Sequence, residues 1–567
     1  MTRARPSQAT EVRLPRSGPR LWLLRLVAAV LAPLLTLGLL EAGLRIGGYG
    51  YDPHFALKTG DGTSYATNLK FTQRFFPTEV ARVPLLFSFP VEKPAATYRV
   101  FVLGASAAQG YPSGTYSFAR ILEVMLERAY SATDFEVINT SITATNSHVV
   151  RTIADEVAGY DPDLFVVYLG NNEVIGPYGI GSATAGGRGG LGLIRAGIAL
   201  RATRLGQAVH NLAGSVASAP EATETWGGME MFATHHVASN DPDLERVVSA
   251  FAANLSSVCD AARGAGIPVL LCTVAVNDWD CAPFASAHRL DLTDTDLEAW
   301  DAAFAEGAAA EADGRFGDAV AAFGRAVALD QEHAELRYRL GRVMLAAGDT
   351  ASAEVHVRAA RDLDLLRFRT DTRLNEIVRG VAATRDDVHL VDAAEAFADL
   401  GPDLHLPRRE RRFFEHVHFT FTGNYELARV LFPRLEALLP PSILPDPVRH
   451  AVPADLATCA SRLNYTAWDE YRSIQMIGTL LKQQPFPGRY DHEALVLEWG
   501  AAFNAMREGM TREEFAGIVR SYEAAVAERP DDLLLRADYA ALLRETGRGA
   551  EAVQQWKVIE EHLPPVD

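Results

Sequence analysis

The chain of 567 residues is 48% apolar, long enough for two or three domains around an ordinary core. Its net charge of −18 argues against the basic footprint of a nucleic-acid-binding protein and says little about substrate. Four cysteines, none in a Cys-x-x-Cys pair, and no histidine cluster at zinc spacing predict no metal and no other cofactor.

Residues 1–20 carry Arg3, Arg5, Arg13, Arg16 and Arg20 against one acid, Glu11, and Leu26–Leu40 is an uncharged run that contains Pro33. With Leu21–Leu24 before Arg25 and Leu44 after Glu41, the apolar stretch reaches the roughly 20 residues that span a bilayer. The arginine excess predicts a cytoplasmic tail at 1–20, an uncleaved membrane anchor at 21–45, and a main body beyond about Tyr49 on the far, periplasmic side. A cleaved signal peptide is the competing reading, but no convincing small-x-small cleavage site is present.

Arg99–Leu103 is β-branched and aromatic and leads through Gly104 and Ala105 to Ser106. Ser117–Tyr130 then repeats apolar residues at helical spacing, so Ser106 lies at the turn between a strand and a helix. Leu164–Leu169 is a continuous apolar run of the kind buried on both faces of a parallel sheet, and it ends in Gly170-Asn171-Asn172-Glu173. After Val388–Val391 comes Glu415-His416-Val417-His418, followed by Gly423 and a helical run. Strands near 98–103, 135–138, 164–169, 267–274 and 388–391 alternate with helices near 117–130, 147–160 and 243–264. That order predicts an α/β fold with a doubly wound parallel sheet. A strand order of 2-1-3-4-5 would bring Ser106 and Asn172 to one crevice at the switch point.

A serine hydroxyl is a weak nucleophile at neutral pH and needs a base within hydrogen-bond reach. Glu415 and His418 are three residues apart, a spacing that lets a carboxylate hold one ring nitrogen while the other faces a serine. His416 lacks that spacing and ranks below His418 as base. His148, in Asn146-Ser147-His148, lines a pocket or, as is commoner, follows a pair that caps the helix from Val149 to Tyr160. Asn171 reads as a turn residue, and the glycines of Gly176–Gly192 read as a mobile loop over the site with no phosphate-binding spacing. Cys259 and Cys272 read as buried, whereas Cys281 and Cys459 lie in loop-like sequence and either form a disulfide in an exported chain or stay free.

In its blocks around Ser106, Ser141, Asn172 and Glu415/His418 the chain resembles the SGNH (GDSL-like) hydrolases over about residues 95–435. The resemblance implies a flavodoxin-like sheet, Ser106 as nucleophile, His418 as base and Glu415 as its orienting carboxylate. It also implies an oxyanion hole from the Ser106 and Ser141 backbone N–H groups and the Asn172 amide. The chain departs from the family pattern at Ala105, Glu173 and Glu415, where the family has aspartates, and at Ser141, where it has glycine.

An interval of 34 residues links Gly307 to Gly341, Gly314 to Gly348, Ala319 to Ala353, Phe323 to Val357, Ala326 to Ala360 and Asp330 to Asp364, and so resembles the tetratricopeptide repeat. The same interval links Tyr522 to Trp556 and Pro530 to Pro564. So few repeats must bury their apolar faces on the α/β domain, on each other or on a protein partner. The expected organisation is a hydrolase domain in two parts, 95–284 and 373–440, an inserted TPR-like segment at 285–372 and a TPR-like C-terminal region at 441–567.

The resulting expectation is a membrane-anchored, extracytoplasmic serine ester hydrolase or O-acyltransferase. Its substrate would be an ester, such as an acylated polysaccharide or a lipid. The alternative from another class is a non-catalytic scaffold whose repeats recruit a partner while the α/β domain binds a ligand.

Overall fold

The computed structural model describes residues 19–183, 189–216, 227–444 and 451–565. Arg3, Arg5, Glu11, Arg13 and Arg16 of the expected basic tail lie outside them. Two compact units are present. The smaller, whose described residues are 19–53 and 197–216, contains helix α1 (Pro19–Ile46). Trp22–Ile46 of α1 is 25 residues long and apolar enough to cross a bilayer, with none of its most apolar window buried by protein.

The larger unit opens with a small antiparallel sheet, β1 (Ala56–Lys58), β2 (Ser64–Thr67) and β3 (Ser88–Pro90), which the sequence reading did not anticipate. The main sheet comprises β4 (Thr97–Gly104), β5 (Asp134–Asn139), β6 (Leu164–Tyr168), β7 (Val269–Cys272) and β8 (Val388–Val391). Every pairing is parallel and the spatial order is β5-β4-β6-β7-β8, the expected 2-1-3-4-5. Strand β4 is buried on both faces: Val100 and Val102 point to one side, into the core shared with α3 and α14, and Phe101 and Leu103, on the other side, are fully buried as well. Its one charge, the fully buried Arg99, is tolerated because the guanidinium reaches Glu136 at 2.6 Å and the carbonyls of Tyr160 and Pro90 at 2.7 and 3.1 Å.

Between β4 and β7 stand α2 (Ser106–Gln109), α3 (Phe118–Ala129), α4 (Ser147–Val157), α5 (Leu191–Arg201), α6 (Arg204–Val216) and α7 (Leu244–Gly264). Between β7 and β8 stand α8 (Asp294–Ala312), α9 (Phe316–Leu329), α10 (Ala334–Ala346), α11 (Thr350–Leu363) and α12 (Thr372–Ala383). After β8 follow α13 (Ala393–Asp399) and α14 (Phe421–Glu436). Ile121, Leu122 and Met125 of α3 and Leu427, Leu431 and Leu435 of α14 share a core with Val100, Val102, Val166 and Leu270 of the sheet.

The inserted helices form two close-packed hairpins, α8 with α9 and α10 with α11. Gly314 and Gly348 end the first helix of each at φ +70 and +93. A Cβ on Gly307 would sit 2.5 Å from Phe323 Cδ1, and one on Gly341 2.8 Å from Val357 Cγ1 and 2.9 Å from the Ala353 carbonyl. The small residues at the repeat interval are therefore a packing requirement. Gly341→Val is expected to lower stability by about 2 kcal/mol through overpacking. Gly324→Ala, on an open face of α9, should raise it by about 0.5–1 kcal/mol through helix propensity. Urea midpoints of the two variants check this, and a Gly341→Val protein as stable as the parent contradicts it.

The C-terminal helices are α15 (Leu456–Arg462), α16 (Ala467–Leu480), α17 (His492–Gly509), α18 (Arg512–Glu528), α19 (Leu533–Glu545) and α20 (Gly549–Glu561). They dock on the α/β body through Thr115 on Asp538 at 2.6 Å, the Tyr116–Tyr522 hydroxyl pair at 3.0 Å and an Arg120–Asp532 ion pair. All four cysteines are free and buried. Cys281 lies 3.4 Å from an Arg489 nitrogen, whereas Cys459 sits in the core shared by α3 and α14, so the 281–459 bridge is not formed.

Candidate active site

At the end of β4 the chain must turn back at once, and Gly104 permits this, since a Cβ there would lie 2.4 Å from Ala108 Cβ and 2.5 Å from the Tyr168 carbonyl. Ala105 is extended, and Ser106 opens the single-turn helix α2, which Gly110 ends at φ +88. The first N–H groups of a helix have no acceptor within it. Ser106 is nearly buried, at 6% exposure, and its hydroxyl has no hydrogen-bond partner among the described residues.

Two residues position the end of β6. Asn171 Oδ1 accepts the Thr370 N–H at 3.0 Å and its hydroxyl at 2.8 Å, so it is more than the expected turn residue. Asn172 Nδ2 donates one hydrogen to the Thr145 carbonyl at 3.0 Å and keeps a second. Gly176 closes the following turn, its N–H donating to the Asn172 carbonyl at 2.7 Å. The start of the glycine-rich stretch is thus a compact coil, and residues 184–188 fall outside the described ones.

Glu415 and His418 occupy a tight loop closed by the Phe413–Phe419 bridge and by the Phe414 N–H on the His418 carbonyl at 2.8 Å. The Glu415 side chain is fully buried; it accepts the backbone N–H groups of His416, Val417 and His418 and contacts Nδ1 of both imidazoles. Burial alone would raise its carboxyl, but the adjacent rings of His416 and His418 outweigh that and hold it well below the usual carboxylate range. His418 Nε2 is buried and has no hydrogen-bond partner among the described residues, so no bond to Ser106 is formed in this state. Burial holds His416 below the ordinary imidazole value despite Glu415, and its ring sits among Phe284, Phe368 and Phe486 at 5.5–6.0 Å.

Ser106, Asn172 and His418 line one cavity of about 620 Å³. Glu415 stands behind His418. Ser141 does not line that cavity: it is fully buried and its N–H donates to Asn139 Oδ1 at 3.1 Å. The wall at this strand end is instead Thr143 and Ala144, the latter in the left-handed region at φ +60. Such a conformation costs an alanine about 1 kcal/mol.

Sequence reading missed the rest of the wall. The Tyr111 ring lies 4.7 Å from that of His418, tilted by 48°, and Gln475, Met476, Thr479, Leu480 and Gln483 line the cavity from α16 and the turn after it. Ile474, Ile477 and Leu481 on the other face of this helical segment bury against Phe414, Phe486 and Leu366. The residues that close the insertion brace the site from behind. Arg369 donates to the carbonyls of Asn277 and Cys281 at 3.0 and 2.9 Å, and Asn277 Nδ2 donates to the Glu415 carbonyl at 2.7 Å.

Beside this site lies a separate buried polar group. Glu173 accepts the Ser147 N–H at 2.9 Å and its hydroxyl at 2.6 Å, so a remote carboxylate, and not the Asn146 side chain, satisfies the N-terminus of α4. Asn254 Nδ2 links Ser147 Oγ and His148 Nδ1, each at 3.1 Å, and His148 lines a different cavity from Ser106. Burial pushes Glu173 from 4.5 up to about 7. An acid raised on folding binds more protons folded than unfolded, so its stabilising contribution is full below about 4.5 and is lost as pH rises through about 7. Glu173→Gln, which mimics the protonated acid, is expected to be the more stable protein above pH 7 by about 2 kcal/mol. Thermal melts at pH 5 and pH 8 check this; a variant that loses as much stability between the two as the parent refutes it.

Residues 310–364 match the tetratricopeptide repeat family model. No curated protein matches the chain. Among solved structures, an acetyl xylan esterase, AlAXEase, aligns over 59% of this chain and 99% of its own at 12% identity and a TM-score of 0.26, too distant to assign fold or chemistry. The family match overlaps the interval read from Gly307 to Asp364 and covers α9, α10 and α11.

Proposed function

We propose that the protein is a membrane-anchored, extracytoplasmic serine ester hydrolase or O-acyltransferase of SGNH type. The observation that carries this reading is the convergence of Ser106, Asn172 and His418 on one cavity, with the Glu415 carboxylate at the far ring nitrogen of His418. Ser106 Oγ attacks the ester carbonyl and its proton passes to His418 Nε2. Glu415 keeps the Nδ1 proton in place and stabilises the imidazolium. The tetrahedral oxygen takes hydrogen bonds from the Ser106 N–H, from Asn172 Nδ2 and from the backbone at Thr143 or Ala144 in place of Ser141, each worth a few kcal/mol when preorganised. His418 returns its proton to the leaving alcohol, and water or a sugar hydroxyl then takes the acyl group. In this reading the hydrolase domain is 95–284 with 373–440, and the segments 285–372 and 441–567 are helical additions to it.

A fluorophosphonate probe tests the assignment. It should label the full chain and fail to label Ser106→Ala; equal labelling of both would end the proposal. The repeat at 310–364 favours one second reading, a scaffold that recruits a protein partner. In that case partner capture survives Ser106→Ala and is lost when residues 300–365 are removed.

A further inference from the structure

The smaller unit carries a feature that its apolar helix does not explain. In α1 the uncharged run ends at Leu40, and the next residue, Glu41, stands where a helix of this length leaves the hydrocarbon. Its carboxylate is fastened to α6: it accepts the Arg204 and Leu205 N–H groups at 3.1 and 2.8 Å, together with Arg45 Nε at 2.7 Å. Those N–H groups belong to the first turn of α6, where an anion meets both free donors and the positive end of the helix dipole.

Two more ties follow. Gln207 Oε1 accepts the Tyr51 N–H at 3.0 Å while its Nε2 donates to the Tyr51 carbonyl at 3.1 Å. Gly50 at φ +81 makes room, since a Cβ there would lie 2.1 Å from Gln207 Oε1. Asn211 Nδ2 reaches the Tyr49 hydroxyl at 2.9 Å. Tyr49 and Trp22, both exposed, bracket α1 as aromatic residues do at the two surfaces of a bilayer.

Fastened in this way, α6 leaves an apolar edge open: Val209 is 54% and Leu212 66% exposed, and Leu200 just before the helix is 53% exposed. At 13 residues α6 is too short to cross a membrane. We propose that α6 is an interfacial helix whose Val209–Leu212 edge enters the headgroup and acyl boundary beside the exit of α1, so that its partner is the lipid bilayer. This rests on the anchor reading of α1. It adds that the anchor is a two-helix device, in which the Glu41 contact fixes the angle at which the chain leaves the membrane.

The native cysteines are all buried, so single cysteines introduced at exposed positions can be labelled selectively. Val209→Cys, Leu212→Cys and, as an aqueous control, Leu290→Cys at a 98% exposed position are made in the full chain. Each is labelled with a polarity-sensitive fluorophore and reconstituted in phosphatidylcholine vesicles. Labels at 209 and 212 are expected to be quenched by lipid-attached nitroxide at least about twofold more than the label at 290, and by iodide less. Labels at 209 and 212 that behave like the control, or that self-quench as neighbours in a second copy would, overturn the inference. Alkaline carbonate separates the two possible failures. A chain retained in the membrane with aqueous labels rejects the interfacial helix alone, whereas a released chain rejects the anchor and the helix together.

Discussion

Ser106→Ala is expected to lower kcat/KM for a simple aryl ester by at least about 10⁴ and to leave the melting temperature nearly unchanged. The two expectations have separate causes. The hydroxyl has no hydrogen-bond partner among the described residues, so its removal strands no buried donor or acceptor, and alanine suits the first turn of α2 as well as serine does. Activity depends on the oxygen because, in the proposed reaction, it is the atom that forms the acyl intermediate. A variant that retains more than about a tenth of the parent turnover would assign the chemistry to another residue.

Much of the fold was legible because the main sheet is buried on both faces. Leu164–Tyr168 and Val100–Leu103 announce themselves as continuous apolar runs, and parallel connections leave few possible orders. The repeats were legible for a different reason: at Gly307 and Gly341 neighbouring helices leave no room for a side chain. The small sheet at 56–90 was not, because strands of three or four residues carry too little periodicity. At the site, each block found in sequence lies at a strand end or in the histidine loop, yet two roles depended on tertiary detail. The loop after β5 commits the Ser141 N–H to Asn139 and presents Thr143 and Ala144 instead. Glu173, seen in sequence only as a departure at an aspartate position, caps a helix that starts 26 residues before it. The glutamine wall of α16 lies more than 300 residues from Ser106, and no local pattern links the two.

Glu415→Gln is expected to cost about 10³–10⁴ in kcat with a small change in KM, and to destabilise the protein at neutral pH as well. Glutamine keeps the volume but replaces one acceptor oxygen with a donor, in a pocket that presents three backbone N–H groups and two imidazole nitrogens. The amide must then turn a donor on at least one donor, or hold His418 in the tautomer with its proton on Nε2, where it cannot accept from Ser106. The stability effect has a definite sign. Because the folded carboxyl lies well below its usual range, it contributes stability above the unfolded pKa, and that stability is lost as pH falls through the folded value. The parent should therefore lose its advantage over Glu415→Gln on acidification, and the two melting curves should converge. Glu415→Asp keeps the charge one methylene short and should recover part of both effects, which separates the carboxylate's electrostatic role from simple packing. Melting temperature of the three proteins from pH 8 down to about pH 2, below the usual carboxylate range, and kcat between about pH 5 and pH 8 decide the matter. Should the glutamine variant turn over substrate within about tenfold of the parent, His418 does not depend on Glu415, and the proposed triad reduces to a serine and a histidine.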